Sequence, residues 1–220
     1  MTQPLPLSAR QVRAMHDRLL AHAGWPQADP LADIAGATPD LWRWVQNNHR
    51  NNCLLWAEED LARRTTVADA EIAANKRNID RFNQARNDAT ERVDELLLLA
   101  LGLVDETSAR SAAPLSRVPV GARLNSETAG SIIDRLSIVS LKLKAMREQT
   151  QRQDVDQVHR DTSQAKLARL EEQRTDLGAC LDTLLAETAA GKAFFKVYRQ
   201  FKMYNDPQLN PQLVKERQQP

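Results

Sequence analysis

The chain has few cysteines, glycines and aromatic residues, and almost no net charge. Its two cysteines, Cys53 and Cys180, lack the paired spacing of a zinc site, and nothing in the sequence requires a disulfide framework. Lys and Arg number 30 against 29 Asp and Glu, so no overall field attracts nucleic acid or an anionic membrane. These shortages predict a protein of a reducing cytoplasm that does not bind nucleic acid.

Long apolar runs are also missing. The longest, residues 96–101, is far shorter than the roughly 20 apolar residues of a membrane span. Residues 1–8 have neither the basic start nor the apolar run of a signal peptide. We therefore predict a cytoplasmic protein with no membrane span.

Apolar residues recur at helical spacing over most of the chain, and no segment shows the alternation of a strand. Ser8, Asp40 and Ser126 precede periodic stretches and are predicted helix caps. The expected fold is an all-α antiparallel bundle of long helices in a single domain, residues 1–220, with a C-terminal aromatic-rich helix starting at Phe194. We expect a helical pair with polar columns at 39–104, a loop at 105–125, and helices at 126–206 that complete the bundle.

Polar residues interrupt the apolar face of the helix predicted near residues 41–64. At 100° per residue, Asn52, Glu59 and Arg63 fall close to one line, and Trp56 lies on the same face. Burying such a polar group without a hydrogen-bond partner costs on the order of several kcal/mol. One hypothesis is a structural polar seam in which Arg63 neutralises Glu59, and the other is a ligand or catalytic pocket with Trp56 as its floor.

A second polar column runs along the next helix. Asparagine is a poor helix former, so two of them one turn apart indicate side chains engaged in specific hydrogen bonds. The column could line a groove or form a satisfied interhelical network. Its members are Lys76, Asp80, Asn83, Asn87 and Asp94, with Arg86 beside them.

Asp134 and Arg135 interrupt the apolar run of the helix that follows residue 126. Asp134 shares a stripe with aliphatic residues, so it is a candidate buried carboxylate. Its predicted partner is Lys76, Arg86 or Lys202, and a purely structural salt bridge remains the alternative.

The segment near residue 200 adds the Lys202 cation and the Tyr204 hydroxyl next to aromatic residues. Aromatic residues at helical spacing are more often core than a cofactor site. Both side chains are nevertheless candidates for closing the pocket.

Metal and cofactor motifs are scarce. No glycine-rich phosphate loop is present, and the histidines show no metal-ligand spacing. Cys53 lies one turn from His49, which gives only a weak hypothesis of a thiol nucleophile. The pairs Glu59–Asp60 and Glu91–Asp94 are similar to the acidic helices of all-α nucleoside triphosphate pyrophosphohydrolases, although Arg63 sits near where that family has its last glutamate. We predict no cofactor, with Mg²⁺ kept as an alternative.

Four separated blocks of the sequence are NCLLWAEEDLARR from Asn52, KRNIDRFNQARNDATERVD from Lys76, NSETAGSIIDRLSIVSLKL from Asn125 and YRQFKMYNDPQLNP from Tyr198. In this order they resemble the bacterial domain-of-unknown-function 4254 family, over nearly the whole chain after about residue 40. The resemblance implies a cytoplasmic helical protein without an established activity, whose genes often accompany glycosyltransferases of lipopolysaccharide or other surface-glycan assembly. The chain has Ala129 where the family usually has proline after Thr128.

We therefore expect a charged inter-helix pocket that binds or acts on an anionic sugar or nucleotide sugar in surface-glycan assembly. One alternative is a non-enzymatic accessory protein that docks on a glycosyltransferase or on itself, and another is the Mg²⁺-dependent pyrophosphohydrolase. If there is catalysis, Glu59, Asp80 or Asp134 would be the acid or base. The predicted ligand-binding residues are Asn52, Trp56, Arg63, Lys76, Asn83, Arg86, Asn87, Arg135, Lys202 and Tyr204.

Overall fold

The structure is a computed structural model that describes residues 5–28, 38–201, 203 and 206–218. Helices dominate these residues, and the strands among them are two short ones, which confirms the all-α fold. In chain order the elements are α1 Ala9–Ala21, α2 Pro39–Leu61, α3 Asp69–Ala100, α4 Glu106–Ala109, β1 Arg123–Leu124, α5 Ala129–Gln151, α6 Gln157–Ala189, β2 Ala193–Phe194 and α7 Pro211–Gln218.

Two long helical hairpins form the body of the bundle. α2 runs antiparallel to α3, because Asn48 contacts Thr90 while Glu58, further along α2, contacts Asn75 near the start of α3. α5 and α6 form the second hairpin, and α5 packs against both α2 and α3. α1 lies against α2, α5 and α6. This arrangement brings α2, α3 and α5 together around one common space.

The apolar stripes of the long helices meet in one continuous core. Leu97 of α3, Ile133 of α5 and Leu181 of α6 are fully buried in it. Truncating an aliphatic core side chain of this size to alanine costs about 2–5 kcal/mol. The core therefore fixes how the two hairpins sit against each other.

Capping chemistry explains where the helices begin. Ser8 forms a capping box at the start of α1, as predicted. α5 is capped by the side chain of Thr128 and not by the predicted Ser126. α2 begins at Pro39, before the predicted cap Asp40, because proline has a helical φ and no N–H that needs a partner.

The prediction of an aromatic-rich helix from Phe194 is wrong. Gly191, with φ of 70°, follows the end of α6, and the chain continues as β2, which pairs in parallel with β1. Phe195 and Val197 are buried, whereas the residues between and after them are more exposed. Burial of alternate side chains in an extended segment thus outweighs the helical spacing of the aromatics. The last described helix is α7, which begins only at residue 211.

The segment 105–125, which is predicted as a loop, has little regular structure. It contains α4 and β1, and the Arg117 N–H donates to the Leu103 carbonyl at 2.6 Å. None of the helices in the described ranges combines the length and the apolar character that a membrane crossing requires.

Candidate ligand-binding site

A pocket lies between α2, α3 and α5, where several of the predicted polar residues meet. Its cavity of about 370 Å³ is within the range of small-molecule sites, about 300–1,000 Å³. Five residues predicted from the sequence line it: Asn52, Trp56, Glu59, Arg63 and Arg86. The other lining residues are Leu55, Asp60, Ile138 and Leu141.

Asn52 is a buried residue of this pocket, and α5 holds its side chain in place. The amide nitrogen donates to Asp134 Oδ1 at 2.9 Å and to Ser137 Oγ at 3.0 Å. Asn48, one turn earlier, donates to the same Asp134 oxygen at 2.8 Å and to Thr90 Oγ1 at 3.0 Å. These bonds satisfy a largely buried carboxylate, as buried polar groups require.

Arg86 places a positive charge beside this network. Its Nε lies 3.9 Å from Asp134 Oδ1, and its Nη2 donates to Asn87 Oδ1 at 3.2 Å. The Nε atom is buried and has no hydrogen-bond partner among the described residues. Arg86 is thus the cation that the structure places next to Asp134. Lys202, another predicted partner, and Tyr204 lie outside the described residues.

Glu59 and Arg63 form the rim of the pocket. Arg63 Nη2 lies 3.2 Å from Glu59 Oε2, and the side chains are 80% and 45% exposed, respectively. The sequence interpretation that both lie near the centre of a buried face is therefore wrong. A Glu and an Arg one turn apart on a helix can pair with each other in solvent, so this pair does not require a buried position.

Several predicted site residues do not line the pocket. Lys76 and Asp80 form an exposed ion pair with each other near the start of α3. Asn83 is half-buried and is not among the lining residues. Arg135 is exposed and pairs with Glu127 at 2.5 Å, ahead of α5. Among the described residues, the polar columns thus meet around Asn52, Arg86 and Asp134. Other members lie on exposed positions of their helices and pair there.

The acidic residues of α3 that suggested a magnesium site have protein partners. Glu91 accepts from Arg199 at 3.1 Å and from the Gln200 N–H at 2.9 Å. Asp94 is buried and accepts the Gly130 N–H at 2.6 Å. Across the described ranges, no three His, Cys, Asp or Glu side chains are grouped so that they could hold a metal ion.

A buried histidine pair lies on the other side of Ser137. His49 Nδ1 is 2.7 Å from Ser137 Oγ, and its ring stacks on His16 of α1 with centroids 4.3 Å apart. Burial lowers the pKa of His16 well below its usual value and lowers that of His49 to about 3, and the nearby positive charge of Arg174 acts in the same direction. Both rings are therefore neutral at physiological pH.

Cys53 does not have the environment of a nucleophile. Its sulfur is 3.9 Å from His49 Nε2 and accepts from Trp25 Nε1 at 3.3 Å. Burial raises the pKa of the thiol to about 11, and the hydrogen bond from Trp25 only partly opposes this. The thiol is therefore protonated at neutral pH, and nucleophilic cysteines act as thiolates.

Sequence reasoning missed Ser137 and Thr90, which complete the network around Asn52. Ser137 lies one turn after Ile133 and one before Leu141, inside an otherwise apolar stripe of α5. A small hydroxyl in that position was the available signal, because a buried Ser needs a hydrogen-bond partner. Thr90 gave no comparable signal, since its position is set by packing between α2 and α3.

The fold and the site define an all-α bundle protein with a charged pocket between three helices. The model of the family described as "Protein of unknown function (DUF4254)" matches residues 42–197. The chain belongs to this family, and the match includes α2, α3, α5 and α6 almost entirely. No curated protein matches the chain, and no solved structure does.

Proposed function

We propose that the pocket between α2, α3 and α5 binds a sugar-type small ligand. The observation that carries this proposal is the combination of one aromatic ring with fixed polar groups in one cavity. Trp56 and the apolar residues of the wall offer a surface on which a sugar ring can stack. Asn52 and Arg86 offer an amide and a guanidinium for hydroxyl groups.

The preorganised Asn52 side chain supports the proposal further. Its bonds to Asp134 and Ser137 hold the amide in one orientation before any ligand arrives. A group held in this way loses little conformational entropy on binding, which increases affinity. Small-molecule sites commonly consist of an apolar wall with a few such fixed polar groups.

A catalytic version of the proposal assigns the chemistry to Glu59. Of the three carboxylates predicted as acid or base, Glu59 lines the pocket. Asp134 is engaged by two amides, and Asp80 pairs with Lys76 outside the pocket. A role in surface-glycan assembly, a location in the cytoplasm and the nucleotide-sugar class of ligand remain predictions from the sequence.

The test is a ligand screen by thermal shift, followed by titration calorimetry. The panel contains hexoses, amino sugars, sugar phosphates and nucleotide sugars, each with and without Mg²⁺. A ligand at about 100 times its Kd stabilises the fold by about 2.7 kcal/mol, which raises Tm measurably. The proposal predicts a concentration-dependent rise with at least one sugar, and no rise with the entire panel would contradict it. A rise that requires Mg²⁺ and a nucleotide would instead favour the pyrophosphohydrolase hypothesis.

Two variants locate the binding event. Trp56→Ala removes the predicted stacking surface. It should weaken binding about tenfold, because stacking of a ring such as a nucleic-acid base on an aromatic side chain is worth about 1–3 kcal/mol. Tyr198→Ala removes an aromatic that is 63% exposed and lies outside the pocket, so it should leave affinity unchanged. Equal losses in both variants would place the ligand somewhere else.

The exposed apolar side chains favour one second candidate, the accessory protein that docks on a glycosyltransferase. Leu115 and Val120 of the segment 105–125 are 78% and 105% exposed, and Phe201 is 85% exposed. A partner that covers such side chains removes apolar surface from water, which favours docking. Co-purification of the chain with a co-expressed glycosyltransferase, lost on Leu115→Asp and Val120→Asp together, is the expected result. If the double variant retains the complex, docking through Leu115 and Val120 is excluded.

A further inference from the structure

A chain of hydrogen bonds runs from the pocket to the buried histidine pair. Asn52 Nδ2 donates to Ser137 Oγ at 3.0 Å, and Ser137 Oγ lies 2.7 Å from His49 Nδ1. The His49 ring stacks on His16. All four side chains are buried, so each proton of the chain needs a protein acceptor.

Asp134 fixes the direction of the bonds at the pocket end. A carboxylate only accepts hydrogen bonds, so Asn52 turns Nδ2, and not Oδ1, towards Asp134 Oδ1, which lies 2.9 Å away. Asn48 agrees with this direction, because its own Nδ2 donates to Asp134 and to Thr90. Its Oδ1 is thereby left to face Asn52 Nδ2, at 3.3 Å.

The single proton of the Ser137 hydroxyl fixes the direction at the other end. The Ser137 oxygen accepts from Asn52, and the other partner of the hydroxyl among the described residues is His49 Nδ1. Ser137 therefore donates to His49 Nδ1, and the neutral ring carries its proton on Nε2. This nitrogen lies 3.9 Å from Cys53 Sγ, a weak acceptor.

We infer that His49, acting through Ser137, is a positioning residue of the pocket. Its unprotonated Nδ1 takes the Ser137 proton, which leaves the Ser137 oxygen as an acceptor. This acceptor holds the nitrogen of Asn52 against α5 and its carbonyl oxygen on the pocket side. The importance of this orientation for ligand binding rests on the proposed function.

A proton on His49 Nδ1 would disturb this chain. The ring would then donate to Ser137, and the hydroxyl proton would lose its acceptor in a buried place, which is unfavourable. Burial and the positive charge of Arg174 lower the pKa of His49 to about 3, so a doubly protonated ring does not compete at neutral pH.

The orientation determines what Asn52 recognises. Among the described residues nothing donates to Asn52 Oδ1, so a ligand group that contacts this atom has to be a donor, such as a hydroxyl. Arg86 lines the same pocket as a cationic donor, and its Nε has no hydrogen-bond partner in the described part of the chain. A sugar hydroxyl both donates and accepts, so it suits either group.

NMR of the protein without ligand at pH 7 tests the inference. In protein labelled with ¹⁵N, His49 Nδ1 should have the chemical shift of an unprotonated ring nitrogen, and Nε2 that of a protonated one. The Asn52 Nδ2 protons should give two separate signals with nuclear Overhauser contacts to the β-protons of Ser137. A protonated Nδ1, or Asn52 signals without those contacts, would overturn the inference.

Two alanine variants separate positioning from the mere loss of a buried hydroxyl. Ser140 is a matched control, because it is also buried in α5 and donates to the Leu136 carbonyl outside this chain. Ser137→Ala should shift the His49 Nδ1 signal and speed solvent exchange of the Asn52 Nδ2 protons about two- to tenfold, as the loss of one neutral hydrogen bond implies. Ser140→Ala should leave both readouts unchanged. Equal changes in the two variants would overturn the positioning role.

The inference and the proposed function fail separately. If the spectra are as expected but no sugar binds in the screen, the proposed function fails while the positioning of Asn52 by His49 stands. If a sugar binds although His49 carries its proton on Nδ1, the inference fails and the proposed function stands.

Discussion

The backbone N–H of Gly130 donates to Asp94 Oδ1 across 2.6 Å, which ties the first turn of α5 to the C-terminal part of α3. A Cβ atom at Gly130 would lie 2.6 Å from the Thr90 carbonyl oxygen and 2.9 Å from Asp94. Thr90 also bonds Asn48 of the network beside the pocket. The close approach of α3 and α5 therefore depends on this glycine and affects the site.

We expect Gly130→Ala to destabilise the protein by about 1–3 kcal/mol, because the new methyl group meets backbone that cannot rotate away. The gain that alanine brings over glycine, about 1 kcal/mol even in a helix interior, only partly offsets this clash in the first turn. Urea unfolding measures the difference. Gly178→Ala is the control, since its Cβ would meet the Ala9 methyl at 3.3 Å and needs a smaller shift. If both substitutions change the free energy of unfolding equally, the close contact at Gly130 is not what destabilises Gly130→Ala.

Asp94 should make stability depend on pH. Burial raises its pKa from 3.8 to about 7, against the opposing hydrogen bonds from Thr128 and Gly130. Between these values the folded state holds a proton that the unfolded chain releases, so this group lowers the free energy of unfolding as pH rises, by at most about 1.4 kcal/mol per unit. Asp94→Asn should therefore gain stability relative to wild type between pH 5 and pH 8. The exposed Asp88→Asn should show no such gain. A constant difference between Asp94→Asn and wild type across that range would refute the prediction.

The stacked histidines should make stability depend on pH in the opposite direction to Asp94. Burial lowers the pKa of both His16 and His49 from 6.5. Below pH 6.5 the unfolded chain therefore binds protons that the folded state excludes, and stability falls as pH falls towards about 3. His16→Phe should reduce this fall, which urea unfolding at pH 7 and pH 5 measures. His22→Phe changes an exposed position and should leave the fall in stability between pH 7 and pH 5 unchanged. Parallel curves for His16→Phe and wild type would mean that His16 does not remain neutral in the fold.

Arg199 should anchor the extended segment that follows β2. It bonds Glu91 at 3.1 Å, also contacts Glu95, and donates to the carbonyls of Ala109 and Ser111 at 3.0 Å each. Arg199→Ala removes all of these bonds, and although Glu91 keeps the Gln200 N–H and Glu95 keeps Arg92, the Ala109 and Ser111 carbonyls lose the guanidinium. We expect a loss of about 1–3 kcal/mol.

Hydrogen exchange shows where that loss occurs. In Arg199→Ala the amides of residues 193–200 should exchange faster. Arg123→Ala removes a 58% exposed arginine whose carboxylate partner is Glu187, and its effect should be smaller, since exposed pairs contribute about 0–1 kcal/mol. Unchanged exchange in Arg199→Ala would show that burial of the apolar side chains alone holds the segment.

Helical periodicity and polar interruptions predict some of the residues that line the candidate pocket. Asn52 and Arg86 stood out because polar groups on an apolar helical face need partners, and both line the pocket. Lys76 and Asp80 stood out for the same reason, yet they pair with each other in solvent. The sequence of one helix shows which residues share a face, but it does not show which residues of other helices lie opposite that face.

The sequence by itself determined the all-α fold and the long helices, because apolar spacing, caps and glycine stops act over a few neighbouring residues. It also determined which side chains need a polar partner when buried. Only the tertiary structure decided that Asp134 meets Asn48, Asn52 and Arg86, since these contacts join residues that are distant in the chain. It also decided that residues 193–197 are extended, because the pairing of β2 with β1 and burial against the bundle outweigh the local preference of the segment.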